Sequence, residues 1–322
     1  MLLEGADLPL GADAPPRVLV GSHEARVVAS SRHSLRFIVP PAAEGGRMKV
    51  SIDALPDGAS DGPNIELDVA RPLATSVHHV DSPAFDSFGR LYITHSGSRT
   101  TKVPVPLYRL TDDGAREPIA VEVGNPTSLA LGPDGAMYIS SRFDGNVYRL
   151  THDDHAEIFA TELGEATGLA FGPDGLLYVG DRSGSIFRVM KDRHVETFAT
   201  LPSSVAAYHL AFGPDGVLYV TVPTLASHDA LYRITPERLV DVVWDGFGRP
   251  QGLAFDARGR LHVVEALAGA AGLYRLDVTQ PKPVPELVVT APALIGVAFD
   301  PAGGIVLASN DTVWKLDVEA DA

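Results

Sequence analysis

The chain has 322 residues, 45% hydrophobic and 21% charged, which is enough apolar material for one large or two ordinary domains with a real core. Its formal net charge of −15 argues against nucleic acid as a partner, since phosphate binding needs a basic face. It contains no cysteine, which excludes disulfides and thiolate chemistry, and no stretch approaches the roughly 18 apolar residues of a membrane span.

The opening MLLEGADLPL has neither a basic n-region nor a long apolar run. As it stands the chain is expected in the cytoplasm, or in a secreted or periplasmic setting should the true start lie upstream. Residues 1–69 read as short strands: MLLEGADL, RVLVG, EARVVAS, SLRFIVP, MKVSIDA and NIELDV. Turn-rich stretches separate them, notably LPDGASDGPN at 55–64. The segments EGADL, VLVGSHEARVVASS, LRFIVPP and DGPNIELDV resemble those of an IPT/TIG domain. That resemblance implies a small immunoglobulin-like β-sandwich over 1–69, here without the family's first strand. No chemistry is visible in it, and its expected role is a spacer or a protein contact.

From residue 70 onward the chain repeats itself. LALGPDG (129–135) and LAFGPDG (169–175 and 210–216) share a frame with PAFDSFG (83–89), LAFDARG (253–259) and VAFDPAG (297–303). A period of roughly 40–46 residues is that of a propeller blade. Each copy has an inner strand ending at a turn whose Gly supplies a positive φ. A second strand follows (LYITH, MYISS, LYVGD, LYVTV, LHVVE, IVLAS), then a third (LYRL, VYRL, IFRV, LYRI, LYRL, VWKL). A fourth, such as EIFATEL or ETFATL, completes the unit. The fold class is therefore all-β: a six-bladed β-propeller over 70–322 behind the small N-terminal sandwich. The sixth copy stops at TVWKLDV, and ARPLATSV (70–77) matches the fourth-strand segment REPIAVEV (116–123). Residues 70–77 are expected to complete the last blade and close the ring, removing a sheet edge. The recurrent alanine of the LAF triplet (Ala84, Ala130, Ala170, Ala211, Ala254, Ala298) lets inner strands approach near the axis.

Candidate chemistry lies where the repeats differ. At the inner-strand starts stand Asp81, Thr127, Thr167, Tyr208, Gln251 and Ile295, with His79, Asn125, Glu165 and Arg249 two residues earlier in four copies. At the second-strand ends stand His95, Ser141, Asp181, Val222, Glu265 and Ser309, followed in three copies by Arg142, Arg182 and Asn310. The structural frame barely changes while these positions do, which favours function at the variable ends, although loop ends vary in any propeller. Asp81, Asp181, Glu265 and Gln251 are the oxygen donors that a hard cation prefers. His79, His95 and His209 are candidates for binding a transition metal or for acid–base work, although no HxH or HExxH spacing supports a zinc site. Arg142, Arg182 and Arg249 suit bidentate capture of a carboxylate. HDDH (152–155) falls in an outer turn far from the axis, and SHD (227–229) in a longer loop. No nucleophile elbow or phosphate loop is present.

EATGLAFGPDGLLYVGD (165–181) and RPQGLAFDARGRLHVVE (249–265) make residues 70–318 similar to the NHL-repeat and gluconolactonase (regucalcin-like) superfamily of six-bladed propellers. The resemblance implies one divalent cation (Ca, Mn, Mg or Zn) in the funnel, held from inner-strand starts. Asp81-Ser82-Pro83 matches the first ligand element and Gln251-Gly252-Leu253 a later one, whereas Thr127 and Thr167 have the frame without the donor. Two functions follow. One is a lactonase-type hydrolase with Asp81, Gln251 and Glu265 on the metal and Asp181 or His95 as base, Arg142, Arg182, Tyr208, His209, Arg249 and Asn310 holding the substrate. The other is a non-enzymatic propeller binding a peptide, glycan or protein, with the N-terminal module as a second contact surface.

Overall fold

The computed structural model describes residues 1–5, 15–43, 45–53, 65–77, 81–97, 103–111, 115–267 and 269–317. Every regular element among them is a strand. Two compact units separate by contact, one holding Met1–Pro72 and the chain from Lys315 onward, the other Leu73–Trp314.

The first unit contains β1 (Leu2–Glu4), β2 (Arg17–Val20), β3 (His23–Ser30), β4 (Ser34–Ile38), β5 (Gly46–Asp53) and β6 (Ile65–Val69). Alternation sets the faces. Val18 and Val20, Leu35 and Phe37, and Val50 point inward with Ala25, while their neighbours are exposed or half-exposed. The strands pair antiparallel in the order β1-β4-β3-β2-β5-β6. β3 serves two neighbours, its first half pairing with β2 and its second half with β4 beyond a register shift at Val27–Ala29. A shift of this kind bends a strand. The result is one curled six-stranded half-barrel, not a clear two-sheet sandwich.

The six repeats become six four-stranded antiparallel sheets, the blades of a propeller. Blade 2 illustrates them: Pro126–Leu131, Met137–Ser141, Asn146–Leu150 and Ala156–Ala160. Inner strands of blades 1, 3, 4, 5 and 6 are Ala84–Phe85, Ala166–Phe171, His209–Phe212, Pro250–Phe255 and Leu294–Phe299. In blade 6 the fourth place in the sheet, beside Thr312–Leu316, is taken by β7 (Arg71–Thr75).

Two turn chemistries join inner to second strands. In GPDG copies the aspartate anchors the turn. Asp134 accepts the Ala136 amide (3.2 Å), the Tyr138 hydroxyl (3.3 Å) and Arg149 Nε (2.7 Å). Tyr178–Asp174 (3.0 Å) and Tyr219–Asp215 (3.1 Å) repeat the hydroxyl bond, and Gly135 and Gly175 follow with φ of 77° and 73°. In the FDxxGR copies the aspartate moves two places earlier. Asp86 then caps the amides of Phe88 and Arg90 (both 2.9 Å) and pairs with Arg90 Nε (2.7 Å), and Asp256 does the same with Arg258 and Arg260. The copies without the GPDG tetrapeptide thus use a second solution to the same turn.

Blades are held to one another by aromatic edges. Tyr138 meets Phe171 of the next blade at 4.8 Å, Tyr178 meets Phe212 at 4.9 Å, Tyr219 meets Phe255 at 5.3 Å, and His262 meets Phe299 at 4.9 Å, all edge-on. Each such contact contributes about 0.5–1.5 kcal/mol beyond its buried area. The tightest approach lies two residues before the LAF alanines. A Cβ on Gly252 would meet Gly296 Cα at 2.7 Å, and one on Gly296 would meet Ser82 N at 2.7 Å and Asp81 O at 2.9 Å. The small-residue requirement read at the alanines is thus strictest at these glycines.

Two outcomes are expected. Gly296→Ala should lower stability by roughly 1–3 kcal/mol in urea titration, because backbone and not a movable side chain blocks the new methyl. His262 sits where four other copies have Tyr and the sixth has Val306, and burial pushes its imidazole down to about 4, only partly offset by the Asp256 charge. From about pH 6.5 down to 4 the unfolded chain takes up a proton that the folded one refuses. Stability should fall by up to roughly 3 kcal/mol as pH drops through that window. His262→Phe should flatten this component, and an unchanged pH slope would count against a buried neutral imidazole.

Candidate functional site

The first residues of the inner strands and the loops leaving the second strands enclose a funnel-like cavity of about 570 Å³. Its polar lining is Thr127, Arg142, Thr167, Arg182, Arg249, Gln251 and Asn310. The rest is apolar: Val205, Ala206, Ala207, Ala266, Ala293, Leu294 and Ile295. The three arginines that the repeat places at variable ends do share one space, and no carboxylate is among the lining residues.

Each arginine is set by its own loop. Arg182 follows the second strand of blade 3. It donates through Nη1 to Glu165 Oε2 (2.6 Å) and through Nη2 to the Val205 carbonyl (3.1 Å). Arg142 holds the equivalent place in blade 2, its Nη2 reaching the Gly97 carbonyl at 3.4 Å. Arg249 precedes the inner strand of blade 5 and is exposed, with no ion pair to any described residue.

The residues ending the second strands hold the entry to their own blade's inner strand. Ser141 donates to the Gly124 carbonyl (2.5 Å). Asp181 Oδ1 accepts the Glu165 amide (2.8 Å) and Oδ2 the Ser183 hydroxyl. Glu265, 1% exposed, accepts the amides of Gly248 (2.6 Å), Arg249 (2.8 Å) and Leu267 (2.6 Å). Asp181 and Glu265, read from the sequence as base and metal ligand, are therefore placed as loop anchors, and Glu265 fixes the backbone that carries Arg249.

Asp81 meets a different partner. His209 Nδ1 lies 2.5 Å from Asp81 Oδ1, and its Nε2 lies 3.3 Å from Gln251 Oε1. The same Asp81 oxygen accepts the Ser82 amide at 2.6 Å. All three side chains are buried, at 5%, 1% and 8% exposure. Asp81 belongs to blade 1 and His209 to blade 4, three blades apart in a ring of six, so the imidazole bridges the axis. In the other five copies the His209 position holds Ser82, Ser128, Gly168, Gly252 or Gly296.

The donors Asp81, Gln251 and Glu265 do not fit a common cation: Glu265 is saturated by amides and Asp81 Oδ1 by His209 and Ser82. Among the described residues no group of three or more His, Asp or Glu is arranged to hold a metal ion. His95 is half-buried with its ring 6.2 Å from that of Tyr108, and it does not line the funnel. Tyr208 is fully buried and donates to the Pro202 carbonyl. Burial, with the Asp181 charge adding to it, lifts its hydroxyl far above the ordinary phenol range. Asn310 is exposed in the funnel. His78 and His79 lie outside the described residues.

The remaining clusters come apart. In HDDH, Asp154 pairs with Arg109 (2.7 Å), His155 contacts the Asp153 carbonyl (3.0 Å), and His152 is solvated. In SHD, Asp229 turns to Thr224 while Ser227 and His228 stay exposed. Sequence reading missed the apolar wall Val205–Ala207, whose signal was the longer connection LPSSVAAYH (201–209). It also named Asp81 and His209 without pairing them, though counting three blades around the ring places them face to face.

No protein-family model matches the chain, and no curated protein is similar to it in sequence. Solved structures share its fold. A putative gluconolactonase is 18% identical, with a TM-score of 0.61 over 77% of this chain and 91% of its own. An auxiliary nutrient binding protein from Bacteroides ovatus is 14% identical, with a TM-score of 0.59 over 94% and 91%. Virginiamycin B lyase from Staphylococcus aureus is 16% identical, with a TM-score of 0.56 over 99% of each chain. These likenesses establish the propeller class shared by lactonases, lyases and binding proteins, and they leave the activity open. The IPT/TIG resemblance of residues 1–69 gains no support from them.

The cross-axis pair is open to a double-mutant cycle. Asp81→Ala alone leaves a buried imidazole without its acceptor and should destabilise by about 1–3 kcal/mol. Combined with His209→Ala, the coupling by urea unfolding should lie in the range of about 0.5–3 kcal/mol. A coupling near zero would mean that the pair contributes nothing to the fold.

Proposed function

We propose that the propeller binds a small anionic molecule, a carboxylate in the first instance, in the arginine-lined funnel. One observation carries this reading: Arg142, Arg182 and Arg249 line a single cavity to which no described acidic side chain contributes. In a protein of net charge −15 such a cluster runs against the overall field. Guanidinium groups match carboxylates bidentately, and the apolar wall of Val205, Ala206, Ala207 and Ile295 suits a short carbon skeleton beside the charged end. The threonines and Asn310 supply hydrogen bonds for hydroxyl or carbonyl groups.

A metal-assisted hydrolase of the lactonase type has less behind it. It would draw its cation from Asp81, Gln251 and Glu265, of which Glu265 is taken up by backbone amides and Asp81 has only one oxygen not already bonded, and its base from Asp181 or His95, of which one anchors a loop and the other lies off the funnel. For the N-terminal half-barrel we infer a contact role, since no cluster of reactive side chains marks its described residues.

Calorimetry with acetate, succinate, gluconate and inorganic phosphate tests the proposal. At least one carboxylate should bind in a salt-sensitive manner, with Arg249→Ala weakening it tenfold or more, equivalent to about 1.4 kcal/mol. EDTA should change nothing. If no anion raises the melting temperature at millimolar concentration, the binding reading is lost. If Ca²⁺, Mn²⁺ or Zn²⁺ raises it and EDTA reverses the effect, the hydrolase reading replaces it.

A further inference from the structure

The funnel is lined by the first residues of the inner strands, Thr127, Thr167, Gln251 and Ile295. The residues that follow them line a second cavity of about 400 Å³, to which Asp81 and His209 belong. The bridge Asp81–His209–Gln251 thus stands at the boundary between the two. Beyond that bridge most of the side chains around the second cavity are apolar, namely Leu129, Leu169, Leu210, Leu253, Val297 and the phenylalanines that end the inner strands, although polar groups make up somewhat more than half of its exposed lining. Its two serines are occupied: Ser82 Oγ accepts the Val297 amide and Ser128 Oγ the Leu169 amide, both at 3.2 Å.

One polar atom is left over. Asp81 Oδ1 takes two donors, while Oδ2 has no hydrogen-bond partner among the described residues and keeps access to solvent. A carboxylate ordinarily accepts at both oxygens, so Oδ2 is open to a donor from outside. The chain also departs from its own repeat to build this arrangement. The inner strands of blades 2, 3, 5 and 6 all shift register near their start, whereas that of blade 4 begins only at His209, past the place of the shift, and that of blade 1 begins later still. At the start of the blade 4 strand stands the one large side chain of the series, the imidazole that fixes the Asp81 carboxylate.

We propose that this second cavity is a binding site for a small hydrophobic primary ammonium ion, its cation on Asp81 Oδ2 and its apolar body among the inner-strand leucines and phenylalanines. An anion would meet the carboxylate, and a neutral hydrocarbon would leave Oδ2 unpaired. A hard metal ion would find too few oxygen donors around a single carboxylate. The volume lies within the usual range of small-molecule sites, and the net negative protein attracts cations toward either mouth. The site is separate from the anion-binding funnel and does not depend on that reading.

The experiment is titration calorimetry on the full chain with benzylammonium, benzyl alcohol and benzoate as three probes of one shape. Benzylammonium should bind at least tenfold more tightly than benzyl alcohol, and Asp81→Asn should abolish that preference. Ala254→Leu, which fills the cavity without touching the bridge, should weaken benzylammonium at least tenfold, and it serves as the readout if Asp81→Asn does not fold. Equal affinity for the amine and the alcohol, no benzylammonium binding at 10 mM (roughly the weak limit of a specific small-molecule site), or full binding by Ala254→Leu would each overturn the proposal. Benzoate bound in place of the amine and retained in Ala254→Leu would place the ligand in the funnel and likewise overturn it.

Discussion

The closeness of the inner strands around the axis governs the rest of the propeller. Gly252 faces Gly296 and Gly296 faces the backbone of Ser82, with no room for a side chain between successive blades. That spacing brings the strand starts within reach of one another and makes a shared funnel possible. It also keeps side chains small at the narrowest level in every blade but the fourth, whose His209 spans the axis, so the other functional groups stand just before that level or just after the second strands. The variable positions of the repeat are those the packing leaves unspecified.

The same constraint explains why so many charged groups near the funnel are anchors. A strand entering a crowded centre must arrive at a fixed angle, and its loop amides need acceptors once they are out of water. Asp181 and Glu265 provide them in two blades with a carboxylate from the strand next door, while in blade 2 the Ser141 hydroxyl donates to the Gly124 carbonyl instead. Acidic residues at propeller strand ends are therefore weak signs of catalysis until their acceptor oxygens have been counted. Arg249 passes that count better, being exposed in the funnel and without an ion pair to any described residue.

The frame was legible because its causes are local. A turn needs Gly at positive φ, an aspartate cap sits at a fixed offset, and Tyr on the second strand must reach that aspartate; each leaves a mark within a few residues. The arginine cluster was legible as well, since Arg142 and Arg182 occupy equivalent places in successive repeats. The Asp81–His209 contact was not, because it joins residues 128 apart and depends on the ring having six members. The anchoring of Glu265 was hidden for another reason: its partners are backbone amides, which carry no signature in sequence. Residues 1–69 gave strands but not their arrangement, because the double pairing of β3 rests on a register shift that alternation alone does not reveal.

The placement of β7 beside Thr312–Leu316 has a consequence for synthesis. The ribosome makes this strand before any blade exists, and its partner comes last. Until then the nascent chain carries a solitary strand at one end and an open sheet edge at the other, both able to pair wrongly. Closure brings together segments separated by nearly the whole propeller, which makes it a slow, high-contact-order step. Once made, the seam locks the first-made and last-made parts of the propeller into one sheet, so fraying at either end must break blade 6 before the ring can open.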